Sequence, residues 1–329
     1  MTWPARTRAL IATAALLAPL AACSSGAANT AQSGGEPAAG FPYTVTNCGV
    51  KTTFKAPPKR AVTLNQHATE VMLELGLRDR MAGTAYLDDR VLPEYAADYK
   101  SLPVLADEYP SYEKLLAANP DFVYGGYASA FAATDGRARA SLQKSGIETR
   151  LNIESCTSGP STMKDVHREV REVGATFGVR GRAQKWVEGA EREVADTTAR
   201  LKGAKPLSVF VYDSGDKTAF TAGGKGIGNE IIERAGGRNV FADLNKPFAD
   251  ASWEKVVERA PDVVVIYDYG GTSVAQKKKR LLDDPALADV PAIKHRRFAV
   301  LPLSDAVLGV RAPAAVEKLA KQLHPDSFR

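Results

Sequence analysis

Cysteine is scarce in this 329-residue sequence, three in all, and histidine, with four, and tryptophan, with three, are hardly commoner. So few cysteines exclude a disulfide-dense scaffold and a cysteine-rich metal cluster. His67, His167, His295 and His324 form no His-Glu-x-x-His or other recognised ligand pattern, so no metal site assembles from the sequence. A Gly-x-Ser-x-Gly elbow is missing too. The run Gly223-Gly224-Lys225-Gly226-Ile227-Gly228 lacks the spacing and the Lys-Ser/Thr pair of a phosphate loop and reads as a turn into a helix. The chemistry of an exported hydrolase or a metal-dependent oxidoreductase is therefore not in evidence, and neither catalytic turnover nor a cofactor is expected. A charge excess of one sign is also lacking. Formal charge is +5 and the sequence pI about 9.0, but no basic stripe interleaves with aromatics, so nucleic acid is not an expected partner. The densest basic run, Lys277 to Arg280, reads as a solvated helix face.

What is present begins with Arg6 and Arg8, followed by an apolar run from Ala9 to Leu20 that ends in Leu20-Ala21-Ala22-Cys23. That run is well short of the roughly 20 residues that span a bilayer, and small residues precede the cysteine, as in a signal peptide. The four residues resemble the lipobox of bacterial lipoproteins. The resemblance implies cleavage before Cys23, a lipid on its sulfur, and a membrane anchor of at least two chains. The polar run Ser24 to Gly40 reads as the flexible tether of such an anchor. Removing residues 1–22 takes two of the 43 basic residues and none of the 38 acidic ones, leaving a nearly balanced mature chain. Cys48 and Cys156 then remain. Outside the cytoplasm a disulfide between them is the expectation; two free buried thiols are the other state the sequence allows.

Beyond the tether, short apolar strands alternate with helical patterns. Arg60 to Leu64, Met81 to Ala85, Pro103 to Leu105, Phe122 to Tyr124 and Glu148 to Ile153 read as strands, with helices over Ala68 to Leu77, Tyr112 to Ala118 and Ala138 to Ser145. Helical patterns then cover Ser161 to Phe177 and Arg182 to Leu201, the second long enough, at about 30 Å, to join two lobes as a rod. Alternation resumes with strands at Leu207 to Tyr212, Thr218 to Thr221, Val263 to Tyr267 and Phe298 to Leu301, and helices at Gly228 to Ala235 and Ala314 to Leu323. The fold class is α/β, two Rossmann-like lobes with a parallel sheet each, joined by a long connecting helix, with a ligand cleft between them. The expected segments are a signal peptide at 1–22, a tether at 23–40, an N-terminal lobe at 41–160, a helical segment at 161–204 and a C-terminal lobe at 205–329.

An internal repeat supports two related lobes. Ser111-Tyr112-Glu113-Lys114 with Pro120-Asp121 and Val123 recurs, at one constant offset, as Ser252-Trp253-Glu254-Lys255 with Pro261-Asp262 and Val264. In each copy a serine caps a helix that ends before Pro-Asp, and the following strand is expected to run out at a glycine pair, Gly125-Gly126 and Gly270-Gly271.

On these elements, and on Pro58-Lys59-Arg60-Ala61-Val62-Thr63-Leu64 and Ala235-Gly236-Gly237-Arg238-Asn239-Val240, the sequence resembles the helical-backbone substrate-binding proteins of ABC importers for iron-siderophore complexes, haem and cobalamin. The resemblance covers nearly the whole mature chain. It implies a monomeric lipid-anchored receptor at the extracytoplasmic face of the membrane that hands a ferric siderophore to an ABC permease. Cobalamin, haem or another bulky cofactor precursor is the alternative cargo. It further implies that Glu113 and Glu254 dock onto arginines of the permease. Taken alone, each glutamate would also favour its own helix N-terminus. In this topology His67, Tyr86, Tyr109, Tyr127, Tyr212, Lys225, Tyr269 and Arg311 are the candidate ligand-binding residues. Ring faces suit the apolar perimeter of a bulky chelate, and hydroxyls and a guanidinium suit its oxygens.

Overall fold

The computed structural model of the chain describes residues 39–329. The expected signal peptide, Cys23 and nearly all of the expected tether lie outside the described residues. The first strands, β1 (Tyr43–Asn47) and β2 (Val50–Phe54), form an antiparallel hairpin that the sequence reading leaves out. Its two-residue turn, Cys48-Gly49, has positive φ at both positions, 48° and 80°, as a primed hairpin turn requires. Such a turn favours Asn or Gly at its first position. Cysteine stands there because it is bonded to Cys156, with Cα atoms 5.4 Å apart. Closing a loop of sequence separation 108 contributes about 4–5 kcal/mol on the chain-entropy account.

The N-terminal lobe continues through β3 (Ala61–Leu64), α1 (Gln66–Glu74), β4 (Met81–Ala85), α2 (Ala96–Lys100), α3 (Tyr112–Ala117), β5 (Phe122–Gly125), α4 (Arg139–Lys144) and β6 (Glu148–Leu151). Its sheet is parallel throughout, in the order β4-β3-β5-β6. The strand expected at Pro103 to Leu105 is only a single bridge between Thr84 and Val104.

Two helices follow, α5 (Met163–Thr176) and α6 (Arg180–Arg200). They approach closely at Gly174, where a Cβ would stand 2.5 Å from that of Ala183. Ala183, near the start of α6, belongs to the core of the first lobe, whereas Val194 belongs to the core of the second. Trp186 packs against both. The apolar stripe of α6 is thus divided between two cores, which fixes the helix as a strut.

The C-terminal lobe comprises β7 (Leu207–Tyr212), β8 (Ala219–Ala222), α7 (Ile227–Arg234), β9 (Gly237–Asn239), β10 (Phe248–Ala251), α8 (Trp253–Arg259), β11 (Val263–Asp268), α9 (Val274–Leu282), α10 (Pro291–Lys294), β12 (Phe298–Pro302) and α11 (Ala312–Leu323). Its main sheet, β12-β11-β7-β9, is again parallel. In chain order both sheets read second-first-third-fourth. On β7, Val209 and Val211 enter one buried cluster and Phe210 and Tyr212 the opposite one, so both sheet faces are covered and the strand has no polar-facing alternation from Val209 onward.

The repeat extends to backbone detail. The Ser111 and Ser252 hydroxyls accept from the N–H of Lys114 (3.2 Å) and Lys255 (3.3 Å). The chain leaves α3 and α8 through Asn119 and Ala260, equivalent positions of the repeat, at φ 47° and 43°. Asp121 then accepts from the N–H of Lys59 (2.7 Å) and Arg60 (2.9 Å), and Asp262 from the N–H of Ser208 (2.8 Å). Each Pro-Asp thereby pins the incoming strand to its neighbour. The glycine pairs do not correspond: Gly125 closes β5, but β11 ends at Asp268, and Gly270-Gly271 lie in an exposed turn beyond it.

A candidate ligand cleft and a candidate docking face

The N-terminal wall of the cleft is organised by Asn65, at the end of β3. It is fully buried at φ 81° and ψ 148°, a backbone region that side-chain-bearing residues rarely enter, so the wall is built on a strained residue. Its Oδ1 accepts from the Tyr109 hydroxyl (3.0 Å) and the Tyr127 N–H (3.4 Å). The Tyr109 hydroxyl also lies 2.9 Å from Ser129 Oγ, and the Arg137 guanidinium sits 5.2 Å from its ring. Tyr86, at φ 61° just past β4, meets the Tyr109 ring edge-on at 4.7 Å. Tyr127 reaches across and packs against the core cluster of the second lobe.

Behind this wall lies His67. Its ring meets Tyr127 edge-on at 4.8 Å, and Gly126 packs so tightly on it that a Cβ there would stand 2.4 Å away. Burial lowers its pKa to about 4, so the imidazole is neutral, and its Nδ1 has no partner. On the opposite wall, Asp213 follows β7 and accepts from the Tyr269 hydroxyl at 2.5 Å. Burial raises the Asp213 pKa. Lys277, expected on a solvated helix face, is instead buried. It donates to the Tyr267 carbonyl (2.6 Å) and stands 4.7 Å from the Tyr269 ring centre. Sequence spacing shows a run of four cations but not which of them turns inward.

Asp88 was missed by sequence reasoning. Its carboxylate accepts only from the Gln66 N–H, at 3.4 Å, and its pKa is pushed up to about 6, mainly by burial and also by Asp89. After burial, its charge is among the causes that raise Tyr109 and Tyr127 on its own lobe and Tyr269 on the other. The missed signal was positional: Asp88 and Asp213 both stand one or two residues past a strand-end tyrosine.

Other candidates have structural partners already. Arg311, N-terminal to α11, is buried. Its guanidinium makes two bonds to Glu70 of α1 (2.6 and 2.5 Å), one to the Arg90 carbonyl (2.6 Å) and one to Asp305 (3.4 Å). It therefore fastens the lobes together, with its donors occupied. Tyr212 lies in the second lobe's core against Trp253, and its hydroxyl donates to the Gly215 carbonyl (3.0 Å). Lys225 is half-buried in the loop before α7, and its carbonyl accepts from the Ser161 N–H. The N-terminus of α7 is already filled: Glu154 Oε1 accepts from the Ile227 N–H (2.6 Å), and Oε2 from the Leu308 N–H (3.0 Å). Glycines precede α7 because a Cβ at Gly224 would fall 1.9 Å from the Ala242 carbonyl oxygen.

Away from the cleft, Glu113 and Glu254 are the second residues of α3 and α8, fully exposed and, among the described residues, in no salt bridge. The pKa of Glu113 is lowered by backbone N–H groups and then by Ser111, that of Glu254 by Ser252 and then by backbone N–H groups. Both are therefore ionised at neutral pH.

A model of the periplasmic binding protein family matches residues 62–304. The chain belongs to that family. An uncharacterized ABC transporter substrate-binding lipoprotein of Bacillus subtilis, YvrC, is 27% identical over 88% of each chain. A vitamin B12-binding protein of Vibrio parahaemolyticus is 24% identical over 65% of this chain and 72% of its own. Among solved structures, a periplasmic binding protein from Veillonella parvula is 31% identical with a TM-score of 0.79, over 86% of this chain and 97% of that one. A protein of an ABC-type Fe3+-hydroxamate transport system from Saccharomonospora viridis shares the fold at 24% identity and TM-score 0.73, over 86% of this chain and 99% of that one. This periplasmic binding protein is thus an extracytoplasmic substrate-binding component of an ABC transporter that binds a small ligand and pairs with a permease, and it is not an enzyme.

Proposed function

We propose that the protein captures a ferric siderophore, of the hydroxamate rather than the catecholate type, between Tyr86, Tyr109 and Tyr127 on one lobe and Tyr269 on the other. His67 supports the Tyr127 ring from behind and Arg311 joins the lobes, while Tyr212 and Lys225 lie outside this set. One observation supports the reading: Tyr127 of the first lobe and Tyr269 of the second pack against one buried cluster, while the nearby arginines are engaged, Arg311 by Glu70 and Arg137 by Asp135. A trianionic catecholate complex needs several free cations around it, whereas a hydroxamate complex presents mainly apolar perimeter and neutral oxygens. In the same reading Cys23 carries the lipid anchor, the receptor works as a monomer, and Glu113 with Glu254 meets two separated cations of the permease. Cobalamin is the second reading, favoured by the name of the Vibrio relative.

Calorimetric titration with ferrioxamine, ferric enterobactin, ferric citrate, haem and cobalamin tests this. Submicromolar binding of ferrioxamine with none of ferric enterobactin is expected. Tight binding of the enterobactin complex overturns the charge argument, and binding of cobalamin or haem alone overturns the iron reading while leaving the receptor role intact.

A further inference from the structure

Three large apolar side chains stand out from the surface among the described residues: Val104 at 51% exposure, Leu116 at 36% and Val257 at 41%. Isolated exposed apolar residues are ordinary. Leu116 and Val257, however, occupy equivalent positions of the internal repeat, and each follows its glutamate by three positions on α3 or α8. Residues three apart on a helix share a face. Both lobes therefore present a carboxylate with an apolar side chain one turn along. Val104 has no such counterpart, since the same offset leads from it to Asn245.

The helices are held to their lobes mainly by other side chains. The preceding residues, Leu115 and Val256, are buried and hold α3 and α8 to their lobes. Nor do the copies agree merely by common descent at every exposed position. Ala117 is matched by Glu258, and Asn119 by Ala260, while the glutamate and the apolar position keep their character.

We propose that Leu116 and Val257 are apolar anchors for the permease, completing a docking surface in which each lobe offers one carboxylate and one apolar contact. The proposal rests on the docking role given above to Glu113 and Glu254. An exposed ion pair alone contributes little, because both ions keep their water. An apolar contact beside it excludes that water and adds buried area, as at the centre of protein interfaces. The partner that fits is the transporter's own permease, presenting twice, at the spacing of the two lobes, a cation beside an apolar hollow.

The test measures binding of the full-length chain to the permease in lipid nanodiscs, using Leu116→Ser, Val257→Ser, their combination, and Glu113→Lys with Glu254→Lys. Each serine variant is expected to weaken docking about tenfold and the pair by more than either, as truncated interface anchors do. The apolar losses should persist at high salt, where the contribution of the glutamates shrinks. Val104→Ser should leave docking unchanged. Wild-type affinity in both serine variants, with docking lost in the lysine variants, overturns the anchors and keeps the glutamates. Lost affinity in the serine variants with none lost in the lysine variants keeps the anchors and overturns the reading of the glutamates. Wild-type affinity throughout overturns both.

Discussion

The two lobes agree on the outside and differ where they face each other. On the outer face, α3 and α8 repeat one design: serine cap, exposed glutamate, buried apolar residue, left-handed exit and an aspartate that clamps the neighbouring strand. At the inner strand ends, one lobe offers Asn65, Tyr86, Tyr127 and Asp88, while the other offers Asp213 and Tyr269 and carries its third strand on to Asp268. A partner that grips both lobes meets the same surface twice. A molecule held between them meets two unlike walls. The repeated element suits a two-footed contact, and the divergent element suits recognition of an asymmetric cargo.

That contrast can be broken at several depths. The largest effect is expected where the walls are joined: Arg311→Met leaves Glu70 buried and unpaired, costing about 3–5 kcal/mol in denaturant unfolding. Adding Glu70→Met should restore most of it, since a buried ion pair is replaceable by apolar volume.

A smaller, pH-dependent effect belongs to one wall only. His67 has a folded pKa of about 4, below its unfolded value of 6.5, so the fold favours the neutral ring. Its contribution is present in full above pH 6.5 and is lost as pH falls from 6.5 towards 4, about 3 kcal/mol at most. Asp88 opposes this: its folded pKa is raised, so burial of its charge weighs against the fold as pH rises through about 6. Comparing wild type, His67→Gln and Asp88→Asn between pH 4 and 7 should separate the two slopes. Parallel curves would remove both assignments.

The smallest effect concerns the outer design itself. Ala260 and Asn119 occupy the same left-handed position, which strains alanine more than asparagine. Ala260→Gly is expected to stabilise by about 0.5–1 kcal/mol, and Asn119→Gly by a few tenths at most, in paired thermal melts. Equal gains would show that the two exits are not equivalent in strain.

Much of the fold was legible because it is local. The capped helices, the strand at Leu207 to Tyr212 and the internal repeat all follow from spacing and side-chain type. The β1–β2 hairpin was hidden because its turn carries a cysteine where asparagine or glycine is the usual sign. The cleft was only half visible. That tyrosines gather at strand ends could be read, but the partner of Arg311 lies 241 residues away on α1, a distance no periodicity records. Tyr212 was misleading for the opposite reason: it ends a strand, yet the alternation of β7 turns it towards α8 and the core.

The connecting strut has one more consequence, for spectroscopy. Of the three tryptophans, Trp3 precedes the expected cleavage point, which leaves a processed chain with Trp186 and Trp253. Trp186 touches both cores from α6. Trp253, beside Glu254, donates its indole N–H to the Asp216 carbonyl and lies under the Arg280 guanidinium. One fluorophore therefore sits on the strut between the two cores and the other on the helix proposed to dock, so two Trp→Phe variants separate an optical signal from between the lobes from one at the proposed docking face, with no label attached.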